Sequence, residues 1–197
     1  MRELSLHVLD LMENSKAAGA RTVWVSVEED LVRDLLTIEV RDDGKGMSQD
    51  QAQAALDPFV TSRTTRKVGL GLPLFLAAAR RCEGDLTIES EAGKGTCVRA
   101  WFRRSHIDRA PIGDMAGTIA TFSGLNPMIR TVYSHKVTKK ASNTQASDTQ
   151  REFRFDSYEV VKYLGEDSRV LQNPEVINWM RCHCEEGIRN LYGGEGE

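Results

Sequence analysis

The chain lacks any apolar run that approaches the ~20 residues needed to cross a bilayer, so we expect no membrane association. It also lacks a basic N-terminal segment followed by an apolar one, which argues against a signal peptide and favours a cytoplasmic protein. A formal net charge of only −3 argues against nucleic-acid binding driven by charge. No internal repeat is present, and a 40% hydrophobic fraction in 197 residues suits one full domain with an appendage.

Cysteine is scarce, and its four positions are scattered rather than spaced as a disulfide framework. Cys82 and Cys97 are interpreted as small buried hydrophobes. The run Cys182-His183-Cys184 contains zinc-type ligands, but no second ligand pair stands at finger-like spacing. This pattern favours a structural or incidental role, with metal binding and redox sensing as the alternatives.

What the chain does contain is a carboxylate held by glycines at the end of a predicted strand. The alternating segment 35–41 predicts a β-strand, and Asp42-Asp43-Gly44-Lys45-Gly46-Met47 follows it directly. We expect Gly44 and Gly46 to allow positive φ and the close approach of a ligand, an arrangement that suits a flat ring bearing an amine. The same letters also describe an ordinary Asp-Gly turn, so the interpretation depends on the neighbouring motifs.

Upstream, the segment 4–18 predicts an amphipathic helix that ends at Gly19. Its predicted apolar side consists of Leu4, Val8, Leu11, Met12 and Ser15. Its predicted polar side consists of Glu3, His7, Asp10 and Asn14. Such a polar stripe is either solvated or presents oxygen ligands to a divalent metal.

Downstream, a basic segment leads into a pair of glycines, Gly69 and Gly71, at the start of a predicted helix over 70–82. Helix N-termini with glycine-freed amides bind phosphate, and adjacent cations strengthen that binding. A tight turn, Gly93-Lys94-Gly95-Thr96, then separates two strand-like runs at 86–90 and 97–102.

These four motifs, in this order, resemble the GHKL superfamily, the ATP-binding domains of gyrase, heat-shock chaperones, histidine kinases and mismatch-repair ATPases. The matching pieces are the N box at 13–15, the glycine boxes at 42–47 and 69–72, and the closing box at 93–96. Residues 11–21 look most like mismatch-repair ATPases, whereas 68–72 and 93–96 look more like histidine kinases. Most closely, residues 1 to about 136 resemble small stand-alone histidine-kinase-like ATPases of anaerobic bacteria.

The resemblance implies an α+β fold, a two-layer Bergerat sandwich with a mixed sheet and helices on one face, plus a small C-terminal α/β extension. We expect four regions: the ATP-binding domain at 1–104, an extension that packs on it or continues it at 105–137, a flexible polar loop at 138–150, and a mainly helical tail at 151–197. The expected elements beyond residue 105 are a helix at 113–122, strands at 128–137 and 152–155, a helix at 157–164 and a last helix from Pro174 to about Tyr192.

The resemblance also implies ATP and Mg²⁺ as cofactors and assigns residue roles. Asp42 would accept the adenine N–H, Gly46 would let the base approach, Met47 would cover the ring, and Thr96 would contact the same edge through water. Asn14 would bind Mg²⁺, and the box Gly69, Leu70, Gly71 and Leu72 would present amides to the phosphates. The loop at 57–67 occupies the place of the ATP lid, with Arg63, Arg66 and Lys67 suited to a triphosphate, although a solvated basic loop is the alternative.

One position departs from the family pattern. The hydrolases of the family carry a glutamate four residues before the metal-binding asparagine, and here that position holds Asp10, which is one methylene shorter. Three functions therefore remain open: a slow ATPase whose nucleotide state gates an unidentified protein partner, a protein kinase acting in trans, and an ATP-binding module without turnover. His7 is interpreted as structural rather than as a phospho-acceptor.

Overall fold

The computed structural model describes residues 3–56, 71–140, 148–165 and 167–193, which form one layer of helices on a six-stranded sheet. The strands are β1 Thr22–Asp30, β2 Leu35–Asp42, β3 Asp85–Glu91, β4 Gly95–Arg103, β5 Arg130–Lys139 and β6 Thr149–Asp156. The helices are α1 Leu4–Ala17, α2 Gln49–Ala54, α3 Gly71–Arg81, α4 Met115–Leu125, α5 Ser157–Leu164 and α6 Pro174–Leu191, with a 3₁₀ turn at Ser168–Gln172.

The sheet has the strand order β3-β4-β2-β1-β5-β6. The β1–β5 pairing is parallel and the other four pairings are antiparallel, so the sheet is mixed as expected. Val23, Val25 and Val27 point to the buried face of β1, whereas Trp24 and Glu28 point outward. This alternation follows from the two-residue period of a strand, and it confirms the α+β class with helices on one face.

The helix ends in the C-terminal region follow their local signals. Asn173 caps α6 by accepting a hydrogen bond from the Glu175 amide, and Pro174 occupies the first turn. Asp156 caps α5 through the Tyr158 amide, and Gly165 ends that helix with a φ of +67°. Because these signals act within a few residues, the predicted bounds of α5 match and those of α6 match within a residue.

Both ends of the polar loop predicted for 138–150 lie in strands. β5 continues through Lys139, and β6 begins at Thr149 and pairs with it. Backbone pairing with β1 and β6 holds Thr138 and Lys139 in strand conformation although their side chains are polar. Residues 141–147 lie outside the described part of the chain.

The polar side predicted for α1 is also wrong at one position. His7 is buried, at 4% exposure, because α3 packs over it and the imidazole stacks on Phe75 with ring centroids 4.8 Å apart. Burial lowers the pKa of His7 to about 4, so the ring is neutral at physiological pH. Its Nδ1 has no hydrogen-bond partner among the described residues.

Among the helices described, none combines the length and the apolar character that a transmembrane span requires.

Candidate functional site

A buried carboxylate lies at the end of β2. Asp42 is 7% exposed, and both of its oxygens are held: Ser15 Oγ donates to Oδ2 at 2.8 Å and the Gly44 amide donates to Oδ1 at 2.8 Å. The first donor comes from α1 and the second from the loop directly after Asp42. The side chain is therefore fixed in one orientation before any ligand arrives, as a recognition group needs to be.

The two segments that carry the first glycine box and the closing box are joined backbone to backbone. The Gly93 amide donates to the Lys45 carbonyl at 2.7 Å. A Cβ built on Gly46, whose φ is +62°, would overlap the carbonyl oxygen of Glu91, and a Cβ on Gly95 would overlap that of Asp42. Side chains are excluded at these two glycines because protein backbone occupies the space.

This packing changes the expected roles of two glycines. Positive φ was expected at both Gly44 and Gly46, but within this loop only Gly46 has it. A Cβ on Gly44 would instead lie 2.9 Å from Asp42 Oδ1 and 3.0 Å from the Ala18 Cβ, so Gly44 leaves room for the carboxylate and α1. The backbone of the turn between β3 and β4 is by itself enough to require glycine at position 46, without any contact to a ligand.

Thr96 lies directly beside Asp42, because the two residues are register partners in the antiparallel β2–β4 pair. Its hydroxyl is 2.9 Å from Ser90 Oγ, which also accepts a hydrogen bond from the Met47 amide at 2.8 Å. Ser90 therefore links the last residue of the first glycine box to Thr96. Met47 is half-buried next to this cluster.

The second half of the site lies where α1 faces the start of α3. The Asp10 carboxylate lies against Gly71, so closely that a Cβ on Gly71 would overlap Asp10 Oδ2. Asn14 is one turn further along α1 and is exposed, whereas Leu72 is half-buried and packs against the core. The amide oxygen of Asn14 is a ligand type that Mg²⁺ accepts together with water and phosphate, so an exposed asparagine at this place fits that ion.

Several expected site residues lie outside the described ranges. These are Arg63, Arg66, Lys67, Gly69 and Leu70, within the segment 57–70. Of the described ones, the structure brings Asp42, Gly44, Gly46, Met47 and Thr96 together at one end of the sheet, and Asp10, Asn14, Gly71 and Leu72 at the facing helices.

Two residues of the site were missed in the sequence. Ser15 was assigned to the apolar side of α1 and to the N box without a role of its own, although a serine among core positions signals a buried hydrogen bond. Ser90 gives no such signal, because its three partners come from the first glycine box and the closing box. By contrast Glu13 is exposed and forms an ion pair with Lys16 at 3.5 Å, away from the buried carboxylate.

The side chains of Cys182, His183 and Cys184 lie in different environments. Cys182 is exposed and Cys184 is buried, while His183 stacks on Trp179 with centroids 5.1 Å apart. Within the described ranges, no group of three or more His, Cys, Asp or Glu side chains is arranged to hold a metal ion.

Comparisons with known proteins agree with this arrangement. Residues 2–106 match the family described as histidine kinase-, DNA gyrase B- and HSP90-like ATPase. The chain is 32% identical over 88 residues to sporulation kinase C of Bacillus subtilis, covering 45% of this chain and 20% of that protein. It is also 32% identical over 117 residues to the DNA mismatch repair protein MutL of Anaeromyxobacter dehalogenans, covering 59% and 17%.

The chain thus spans about a fifth or less of the length of these curated relatives. Among solved structures, the N-terminal domain of a DNA repair protein matches with a TM-score of 0.52 at 13% identity, over 76% of this chain and 52% of that one, which shows a shared fold. The family match covers more than half of the sequence and includes both halves of the site. This chain belongs to the histidine kinase-, DNA gyrase B- and HSP90-like ATPases.

Proposed function

We propose that this chain binds ATP with Mg²⁺ and hydrolyses it slowly in the cytoplasm, with the bound nucleotide gating a protein partner. The observation that carries the proposal is the fixed, buried carboxylate of Asp42 beside Thr96. Among the described residues, its hydrogen-bond donors are a hydroxyl and a backbone amide, not a cationic side chain. A carboxylate so held accepts an exocyclic N–H, which favours adenine over guanine, whose carbonyl at the equivalent position offers no donor.

The phosphates of the bound nucleotide would lie in the region between α1 and α3. Asn14 would hold Mg²⁺, and Gly71 with the rest of the second glycine box would present amides to the phosphates. The basic residues Arg63, Arg66 and Lys67 would add charge from the lid. When bound, Mg²⁺ would neutralise charge on the phosphates, and the residues of the chain would orient the nucleotide and the attacking water.

Asp10 is proposed as the group that orients this water and takes its proton. On a helix, Asp10 and Asn14 differ by roughly 40° around the axis, whereas Glu13 lies about 100° from Asn14. The contact of Asp10 with Gly71 and the exposure of Glu13 support this assignment. The shorter side chain would make turnover slow or dependent on a water relay.

The substitution Asp10→Asn is therefore expected to keep ATP binding and to remove most turnover, because an amide stays polar but cannot accept the proton. Glu13→Gln is the matched control on the same helix and should leave the rate nearly unchanged. Asn14→Ala should abolish the Mg²⁺ dependence of binding. Phosphate release under single-turnover conditions measures the first two, and loss of turnover in Glu13→Gln with normal turnover in Asp10→Asn would reverse the assignment.

A protein kinase acting in trans is the second candidate, favoured by the similarity of residues in this domain to sporulation kinase C. Incubation with γ-labelled ATP, alone and with candidate partner proteins, separates the possibilities. Released phosphate supports the ATPase, labelled partner protein supports the kinase, and bound but unconverted ATP supports a binding module. Failure to bind ATP by calorimetry would overturn the proposal as a whole.

A further inference from the structure

A second buried carboxylate lies at the end of the sheet opposite Asp42. Glu29 is 3% exposed and accepts hydrogen bonds from three parts of the chain: Arg104 after β4 at 2.9 Å, His135 of β5 at 3.1 Å, and the Tyr192 hydroxyl just after α6. Tyr133 completes the cluster, with its hydroxyl 2.9 Å from His135 Nδ1. None of these groups belongs to the candidate site.

The carboxylate is ionised in this environment. Burial by itself would raise the pKa of Glu29, but the hydrogen bonds from His135, Tyr192 and Arg104 outweigh it and lower the pKa to about 2. A buried charge that loses one of its donors is not compensated by water, so each donor contributes to keeping its own segment in place. For Tyr192, that segment is the end of α6.

Polar contacts join the end of α6 to the sheet. Lys139 Nζ donates to the Tyr192 carbonyl at 2.7 Å, and Arg151 donates to the Asn190 carbonyl at 3.1 Å. Over its 18 residues, α6 buries Met180, Cys184 and Leu191, and Val176, Ile177 and Ile188 pack partly buried against the core. Because more than half of its residues are exposed, α6 is expected to open at a lower free energy than the core of the sheet.

A cavity of about 380 Å³ separates this helix end from the start of α4. Its walls include Ile188 and Tyr192 on one side and the segment 112–116 on the other, and His135 also lines it. The α6 residues that line this cavity pack less tightly against the segment 112–116 than a filled interface would allow. The hydrogen bond from Tyr192 to Glu29 is a direct link between this end of the helix and the sheet.

The far wall of this cavity is also the anchor of α1. The Leu4 amide donates to the Pro111 carbonyl at 3.0 Å, and the Ser5 amide donates to the Ile112 carbonyl at 2.8 Å. Residues 111–114 therefore join the cavity to the first turn of the helix that carries Asp10 and Asn14. Arg181 of α6 forms an ion pair with Asp114 of this segment at 3.3 Å, so a change in how α6 docks can reach α1 through these residues.

We propose that α6 with Tyr192 is a strap, a helix that can undock from the sheet and that the hydrogen bond from Tyr192 to Glu29 holds in place. Undocking of the strap loosens the segment 111–114 and the start of α1. The strap opens as a local unit while the six-stranded sheet stays folded. This device does not depend on whether the candidate site binds ATP, and its test needs no nucleotide.

Cysteines already in the chain report the opening. Cys184 is buried in the strap, where burial raises its pKa to about 12 and makes it unreactive until the helix is released. Cys82 is buried at the end of α3 and reports global unfolding, and exposed Cys182 sets the unprotected rate. Labelling of the native protein with a maleimide, followed by peptide mass analysis, gives the three rates separately.

The variant Tyr192→Phe keeps the ring and removes only the donor to Glu29. Labelling of Cys184 is expected to accelerate by about tenfold or more, while the rate at Cys82 stays the same. Tyr163→Phe is the matched control, because Tyr163 is 87% exposed on α5 and its loss of a hydroxyl should change neither rate. Equal acceleration at Cys184 and Cys82, or none at Cys184, would overturn the strap.

Amide hydrogen exchange in the same variant tests the connection to α1. The amides of Leu4 and Ser5 are expected to exchange faster in Tyr192→Phe than in the wild-type protein, while those of Val25 and Ile38 in the sheet are unchanged. Unchanged exchange at Leu4 and Ser5 alongside faster Cys184 labelling would overturn the coupling to α1.

Discussion

The substitution Asp42→Ala is expected to weaken ATP binding by at least about tenfold and to remove the preference for ATP over GTP. The adenine amine would lose its charged acceptor, at a cost of about 1–3 kcal/mol. The Ser15 hydroxyl and the Gly44 amide would lose their acceptor in the same substitution. Isothermal calorimetry with ATP and GTP measures both effects.

Its control is the neighbouring carboxylate. Asp43 is exposed, and one oxygen accepts the amides of Arg21 and Thr22 at 2.7 and 2.8 Å, so Asp43→Asn keeps an acceptor and should leave the affinity unchanged. Asp42→Asn provides a second test in case the alanine variant does not fold. Unaltered ATP affinity in a folded Asp42 variant would remove Asp42 from the nucleotide site.

The largest expected effect on stability comes from Gly46→Ala. An alanine there would be strained by the φ of +62° and would overlap the Glu91 carbonyl, so the loop after β2 and the β3–β4 turn would have to separate. Left-handed backbone costs about 1–2 kcal/mol for a residue with Cβ, and overpacking adds about 1–3 kcal/mol. The free energy of unfolding should therefore fall by about 2–5 kcal/mol, as measured by urea denaturation.

Gly93→Ala isolates the conformational part of this cost. Gly93 has a φ of +81°, but a Cβ there would meet nothing within 4 Å. We expect a loss of only about 1–2 kcal/mol for Gly93→Ala. If the two variants were equally stable, the close packing between the first glycine box and the turn would not hold in solution.

Local signals explain why much of the fold is predictable. The strand that ends at Asp42, the cap Asn173 with Pro174, and the helix that ends at Gly165 each depend on residues a few positions apart. Side-chain capping, the fixed φ of proline and the two-residue period of a strand act at that range. The order of the four motifs indicated the family to which the chain belongs, and the comparisons confirm that family.

The α+β class follows from the sequence alone, as do the position of Asp42 at a strand end and the helix carrying Asp10 and Asn14. Tertiary packing, by contrast, buries His7 under α3 and extends β5 through Lys139. It alone also brought Glu29 to Tyr192, which are 163 positions apart. Such contacts join segments that are distant along the chain. The local propensity of a segment and the residue spacing within it do not indicate which other segment will pack against it.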